Sequence, residues 1–215
     1  MTWDLSVRIY HWLQMVCIVV LIVSGNAGQM TVHLFAGLTL VALLLYRLLW
    51  AFVGPEPARI SSFISRPTTA LADLKQTLAK RHSDHDSHSP AGGYMVLAFW
   101  LVLTVQLLTG LVSSDDFLFI GPLAGYVPES VATEAVQLHH QLINVLIALM
   151  VLHVLAVFWV QHGAKQPLIQ SMIHGRKPNR PDSLTINRVL QGLAMVIALA
   201  TASLLYYLWQ QNNFF

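Results

Sequence analysis

Charge is scarce in this chain. Only 10% of its 215 residues are Asp, Glu, Lys or Arg, while 55% are apolar. A soluble domain needs about 25% charged residues to cover its surface, so that class is excluded. The mean hydropathy of +0.59 points to a membrane protein. Cysteine is nearly missing as well. Cys17 is the one cysteine and sits inside an apolar run, which excludes a disulfide framework, a CxxC redox or zinc pair, a cysteine-held iron–sulfur cluster and covalent c-type haem attachment. Lys and Arg number 12 against 10 acids, leaving no general basic field for nucleic acid. Against these shortages stand ten histidines.

Five stretches, about 8–26, 32–53, 92–113, 137–160 and 188–209, are apolar enough to cross a hydrocarbon core of about 30 Å. The first also resembles a signal peptide, with Arg8 ahead of it and Ser24, Gly25 and Ala27 at its end. Its n-region is weak, however, and a His-Trp pair opens the run, so it is read as a span.

Basic residues anchor loops to the cytoplasmic side. Arg8, Arg47, Arg59, Arg66, Lys75, Lys80, Arg81, Lys165, Arg176, Lys177, Arg180 and Arg188 all fall on one side of a five-span arrangement. The 27–31 turn, the 114–136 loop and the tail after Trp209 have none, and the long loop carries Asp115, Asp116, Glu129 and Glu134. The N-terminus is expected inside and the C-terminus outside. On the inner side, Pro55 to Pro67 is punctuated by proline and serine, and Leu71, Leu74 and Leu78 predict a short amphipathic helix over 68–80 on the membrane surface. The stretch from Arg81 to Pro90 is polar, and no internal repeat of the transporter kind occurs.

His82, His85, His88, His162 and His174 fall in or beside inner loops, whereas His11, His33, His139, His140 and His153 fall within spans. Imidazole in lipid must face the protein interior and have a partner. For any one of them, a bond to a backbone carbonyl is as good a reading as a ligand role. Spacing binds them together. His139 and His153 are 14 residues apart, which at about 100° per residue puts them within roughly 40° of one face and about 21 Å apart along the axis. His140 falls about 140° from His153, so it is expected at the outer surface or on a haem propionate.

The alternation of spans then supplies partners. His33, at the start of the second span, meets His139, and His11, in the first turns of the first, meets His153. Two stacked histidine pairs in a four-helix bundle suit two six-coordinate b-type haems, with one neutral imidazole on each side of each iron. Gly37 and Gly110 either let a flat macrocycle lie on backbone or serve close helix packing.

Val7-Arg8-Ile9-Tyr10-His11-Trp12 resembles the opening of the bacterial cytochrome b561 family, in the branch that includes b-type subunits of nickel–iron hydrogenases. Further similarities are His33-Leu-Phe-Ala-Gly37, Tyr46-Arg47-Leu-Leu-Trp50, Ser89-Pro90-Ala-Gly92, Leu108-Thr-Gly110-Leu, Gly121-Pro-Leu-Ala124, the His139 to His153 pair and Met172-Ile-His-Gly175-Arg-Lys177. They span about residues 3–178 and imply an all-α membrane protein, in which a four-helix transmembrane bundle holds two haems. The fifth helix, over 179–215, departs from the four-span pattern. The resemblance implies His11, His33, His139 and His153 as axial ligands, with Gly37 and Gly110 in the cofactor-binding set. Arg8 and Arg47 become propionate or surface partners, unless they are ordinary positive-inside anchors.

The expected function is electron transfer in the bacterial inner membrane, between the quinone pool and a periplasmic partner, either a c-type cytochrome or a hydrogenase-like subunit. The acidic 114–136 loop is the expected docking rim for a basic partner. A stand-alone superoxide:quinone oxidoreductase is an alternative within the haem reading. A metal-ion permease is a remote one, suggested by His82, Asp84, His85, Asp86 and His88 but opposed by the lack of acids at span centres. No nucleophile-base or paired-carboxylate arrangement appears inside the spans, so catalytic side chains are not expected.

Overall fold

The computed structural model describes residues 4–79, 88–114, 119–163, 165–175 and 186–213. Their regular structure is helical: α1 (Leu5–Asn26), α2 (Met30–Val53), α3 (Pro67–Leu78), α4 (Pro90–Val112), α5 (Glu129–Gly163), α6 (Leu168–His174) and α7 (Arg188–Asn213). Single 3-10 turns lie at Glu56–Ala58, Ile60–Ser62 and Ala124–Tyr126. The helices α1, α2, α4, α5 and α7 are long and apolar enough to span a membrane, and they coincide with the five predicted stretches. Most of the His82–His88 cluster, together with Asp115 and Asp116, lies outside the described residues.

One boundary differs appreciably. α5 has 35 residues and begins at Glu129, eight positions before the apolar stretch starts. The carbonyl of Pro128 accepts from Val131 and Ala132 at 2.9 and 3.1 Å, so the helix nucleates there. Apolarity marks the lipid-immersed part of a helix, while backbone hydrogen bonding continues through the polar turn beyond it. The reversal between α1 and α2 is only three residues long. Its Gly28 has φ +66°, a conformation open to glycine without a Cβ clash.

Two compact units divide the chain. The first gathers Met1–His11, Arg47–Phe99 and Ala148–Gly192. Within it, Asp4 is 3% exposed and caps α1: its Oδ1 accepts from the Val7 N–H at 2.9 Å and from the Ser6 hydroxyl, while its Oδ2 accepts from the Trp50 indole at 3.2 Å. The start of α4 is similarly served, with the Ala91 N–H donating to buried Asp73 and the Gly92 N–H to Ser89. These bonds satisfy donors that a helix cannot satisfy itself. α3 turns Ala70 and Asp73 inward and leaves Leu71, Leu74 and Leu78 exposed, the pattern of a helix seated at a lipid interface.

The second unit gathers Trp12–Tyr46, Trp100–Ile147 and Leu193–Phe215. Its core packs Leu34, Leu38 and Leu205 with Val41, Leu111 and Phe119. Phe35 lies against Tyr206 with ring centroids 5.4 Å apart, and the Asn212 amide donates to the Pro122 carbonyl at 3.1 Å. The helix outside the four-span pattern is thus packed into this unit from Leu193 onward.

Asp4→Ala removes a cap and the indole's acceptor together, for an expected loss of about 1–3 kcal/mol. A lowered thermal unfolding midpoint in detergent, with Ser89→Ala as a milder reference, checks it.

Candidate functional site

In the first unit, α1 supplies His11 and α5 supplies His153, whose rings face each other with centroids 6.3 Å apart and planes at 53°. Phe99 of α4 sets its ring edge against His153 at 5.7 Å. In the second unit, α2 supplies His33 and α5 supplies His139, with centroids 6.2 Å apart and planes at 71°. Both expected pairs therefore form. His140 is exposed, as its position on the helix predicted.

Hydrogen bonds orient the second pair. His33 Nδ1–H donates to the Leu21 carbonyl at 3.0 Å, and His139 Nδ1–H donates to the Gln106 carbonyl at 2.9 Å. A proton on Nδ1 leaves the Nε2 lone pair free, which is the tautomer that binds a metal. Without these carbonyls, each buried N–H would cost about 1–3 kcal/mol.

The other expected site residues divide. Arg47 is 2% exposed and donates to the Ala58 carbonyl at 3.1 Å, so it is buried rather than a surface anchor. Arg8 donates to the Ile173 carbonyl at 2.6 Å. A Cβ on Gly37 would meet only the Leu21 side chain, at 3.8 Å, leaving space beside α2. Gly110 lies against a ligand candidate instead: a Cβ there would come 2.9 Å from His139 Cε1.

Several residues escaped the sequence reading. Gly25 stands to His33 as Gly110 does to His139, its Cβ position being 3.2 Å from His33 Cε1. Ser24 and Thr109 lie beside the same rings. The shared Ser-Gly and Thr-Gly steps near the ends of α1 and α4 were the available signal. His88, read as part of a loop, packs its ring on Phe63 at 4.9 Å. Burial, then the nearby positive charge of Arg47, push its pKa down to about 3.

A haem fits these residues. Two metal–imidazole bonds of about 2 Å, added to the depth of each ring, separate centroids by roughly 6 Å, which both pairs match. Among the described residues no cluster of three or more His, Cys, Asp or Glu could hold a bare metal ion.

Five membrane-length helices among the described residues mark a multi-pass membrane protein. Residues 2–175 match the family described as prokaryotic cytochrome b561, and the chain belongs to that family. That membership makes it a b-type membrane cytochrome. It is similar to the probable Ni/Fe-hydrogenase 1 B-type cytochrome subunits of Escherichia coli K12 and Escherichia coli O157:H7. Identity to each is 27%, over 50% of this chain and 57% of the relative. The chain thus spans little more than half the length of these relatives. No solved structure matches it.

His88 gives a pH prediction. Between its usual pKa near 6.5 and its folded value of about 3, the unfolded chain takes up a proton that the folded chain refuses, so acidification through this window favours unfolding. His88→Phe keeps a ring on Phe63 and cannot be protonated. Its thermal midpoint should fall less between pH 7 and pH 4 than that of the parent.

Proposed function

We propose that the protein holds two haems b, one between His33 and His139 and one between His11 and His153, and passes electrons between the quinone pool and a partner at the periplasmic face. The carrying observation is the pair of facing imidazoles in each unit, with centroids 6.2 and 6.3 Å apart. A haem when bound takes up and releases one electron at a time. The chain's own residues do the rest. The Leu21 and Gln106 carbonyls hold the Nδ1 protons of His33 and His139, so Nε2 of each faces inward as a donor. Phe99 fixes the His153 ring and keeps water from it. Arg8 and Arg47 supply positive charge in the unit of His11 and His153, where haem propionates would be neutralised. Gly37 leaves room on α2 for the edge of a macrocycle.

We place residues 1–178 as the haem-binding domain and 179–215 as an added helix, a division supported by the family match ending at residue 175. The clustering of all twelve basic residues supports an inner-membrane protein with its N-terminus in the cytoplasm and C-terminus in the periplasm. The acidic 114–136 loop then faces the periplasm, where it suits a basic c-type cytochrome. The named function of the Escherichia coli relatives supports an oxidoreductase subunit as the other partner.

Purified protein should contain two haems b per chain by haem extraction and optical spectrum. His33→Ala and His139→Ala should each lose one, His11→Ala and His153→Ala the other, and His140→Ala neither. Fewer than two in the parent protein overturns the proposal. Topology is checked separately: with Cys17 replaced, cysteines at Ser87 and Asn212 should react from opposite sides of sealed vesicles, and reaction from the same side contradicts the orientation.

A further inference from the structure

The surroundings of His33 and His139 repeat one arrangement on two helices that are unrelated in sequence order. On α1, the carbonyl of Leu21 accepts His33 Nδ1–H at 3.0 Å, the hydroxyl of Ser24 three positions on lies 3.4 Å from the same nitrogen, and a Cβ on Gly25 would stand 3.2 Å from His33 Cε1. On α4, the carbonyl of Gln106 accepts His139 Nδ1–H at 2.9 Å, the hydroxyl of Thr109 three positions on lies 3.3 Å away, and a Cβ on Gly110 would stand 2.9 Å from His139 Cε1. Carbonyl, hydroxyl and missing side chain occupy positions i, i+3 and i+4 both times.

Each part has a physical reason. Residues three and four apart share a helix face. A carbonyl inside a helix is normally screened by the side chain four residues later, so glycine at i+4 opens it to an incoming ring. The hydroxyls are anchored by their own helix: Ser24 donates to the Val20 carbonyl at 2.6 Å, and Thr109 to that of Val105 at 2.9 Å. A hydroxyl hydrogen spent there leaves an oxygen lone pair facing the imidazole N–H.

We propose that Ser24-Gly25 and Thr109-Gly110 are matched positioning residues, which seat both imidazoles of one haem and set its reduction potential through their Nδ1 protons. The proposal rests on the haem reading above. Each acceptor facing Nδ1–H makes the ring a stronger electron donor, and a stronger donor favours ferric iron. The hydroxyls therefore lower the potential of this haem, and the glycines permit the geometry.

Thr109→Val, which keeps shape and removes the hydroxyl, and Ser24→Ala test the electronic part by redox titration. Both should retain two haems per chain and shift the potential of one haem only, to more positive values, with the double variant showing about the sum. Gly110→Ala and Gly25→Ala test the seat. Gly110→Ala should lose that haem or alter its low-spin EPR signal, and Gly25→Ala should do so less, as 3.2 Å compares with 2.9 Å. Unchanged potentials in Thr109→Val, Ser24→Ala and their combination overturn the electronic role. Two haems with an unaltered EPR signal in Gly110→Ala overturn the seat. Fewer than two haems in the parent protein would instead defeat the two-haem reading, before any variant is compared.

Discussion

An imidazole inside a membrane has to be neutral, turned inward and partnered on both nitrogens, and much of this structure answers that demand. Lipid offers no water to satisfy a stray N–H. Each of four histidines consequently meets another histidine, and in the second unit a backbone carbonyl takes the proton from the far side of each ring. A neutral ring protonated on Nδ1 keeps its Nε2 lone pair free to accept a bond.

Backbone freedom concentrates where that demand is met. Gly28 lets only three residues separate α1 from α2, bringing the first turn of α2 back beside the last turns of α1, where His33 finds the Leu21 carbonyl. In the first unit, polar side chains do comparable work: Asp4 ties the start of α1 to Trp50, and Arg47 ties α2 to the 3-10 turn that holds Ala58. Intramembrane charge is costly, and here it is spent on carbonyls and caps near helix ends.

The spans, their alternation and the two histidine pairs were legible in the sequence because hydropathy and the 3.6-residue period are local properties. His139 and His153 share a face of one helix whatever surrounds it, and His140 is turned away for the same reason. What stayed hidden depends on proximity between distant segments. Ser24 and Gly25 read as small residues closing an apolar run until His33 is seen against them. Arg47 reads equally as a propionate partner or an anchor, and its burial is invisible in the sequence. His88 looks like one member of a polar loop until its ring is found on Phe63. The early start of α5 was missed because its first turns hold Glu129, Thr133 and Glu134, which hydropathy counts as loop although the backbone does not.

Because α5 gives one histidine to each unit, its residue count between His139 and His153 is constrained more tightly than its composition. Exposed side chains in that interval, polar His140 among them, are less constrained than its length. A single inserted or deleted residue, however, would turn everything beyond it by about 100° and take one of the two histidines out of register with its partner. The spacing between His139 and His153 is thus a property of helix length, to which the segments joining the helices are indifferent.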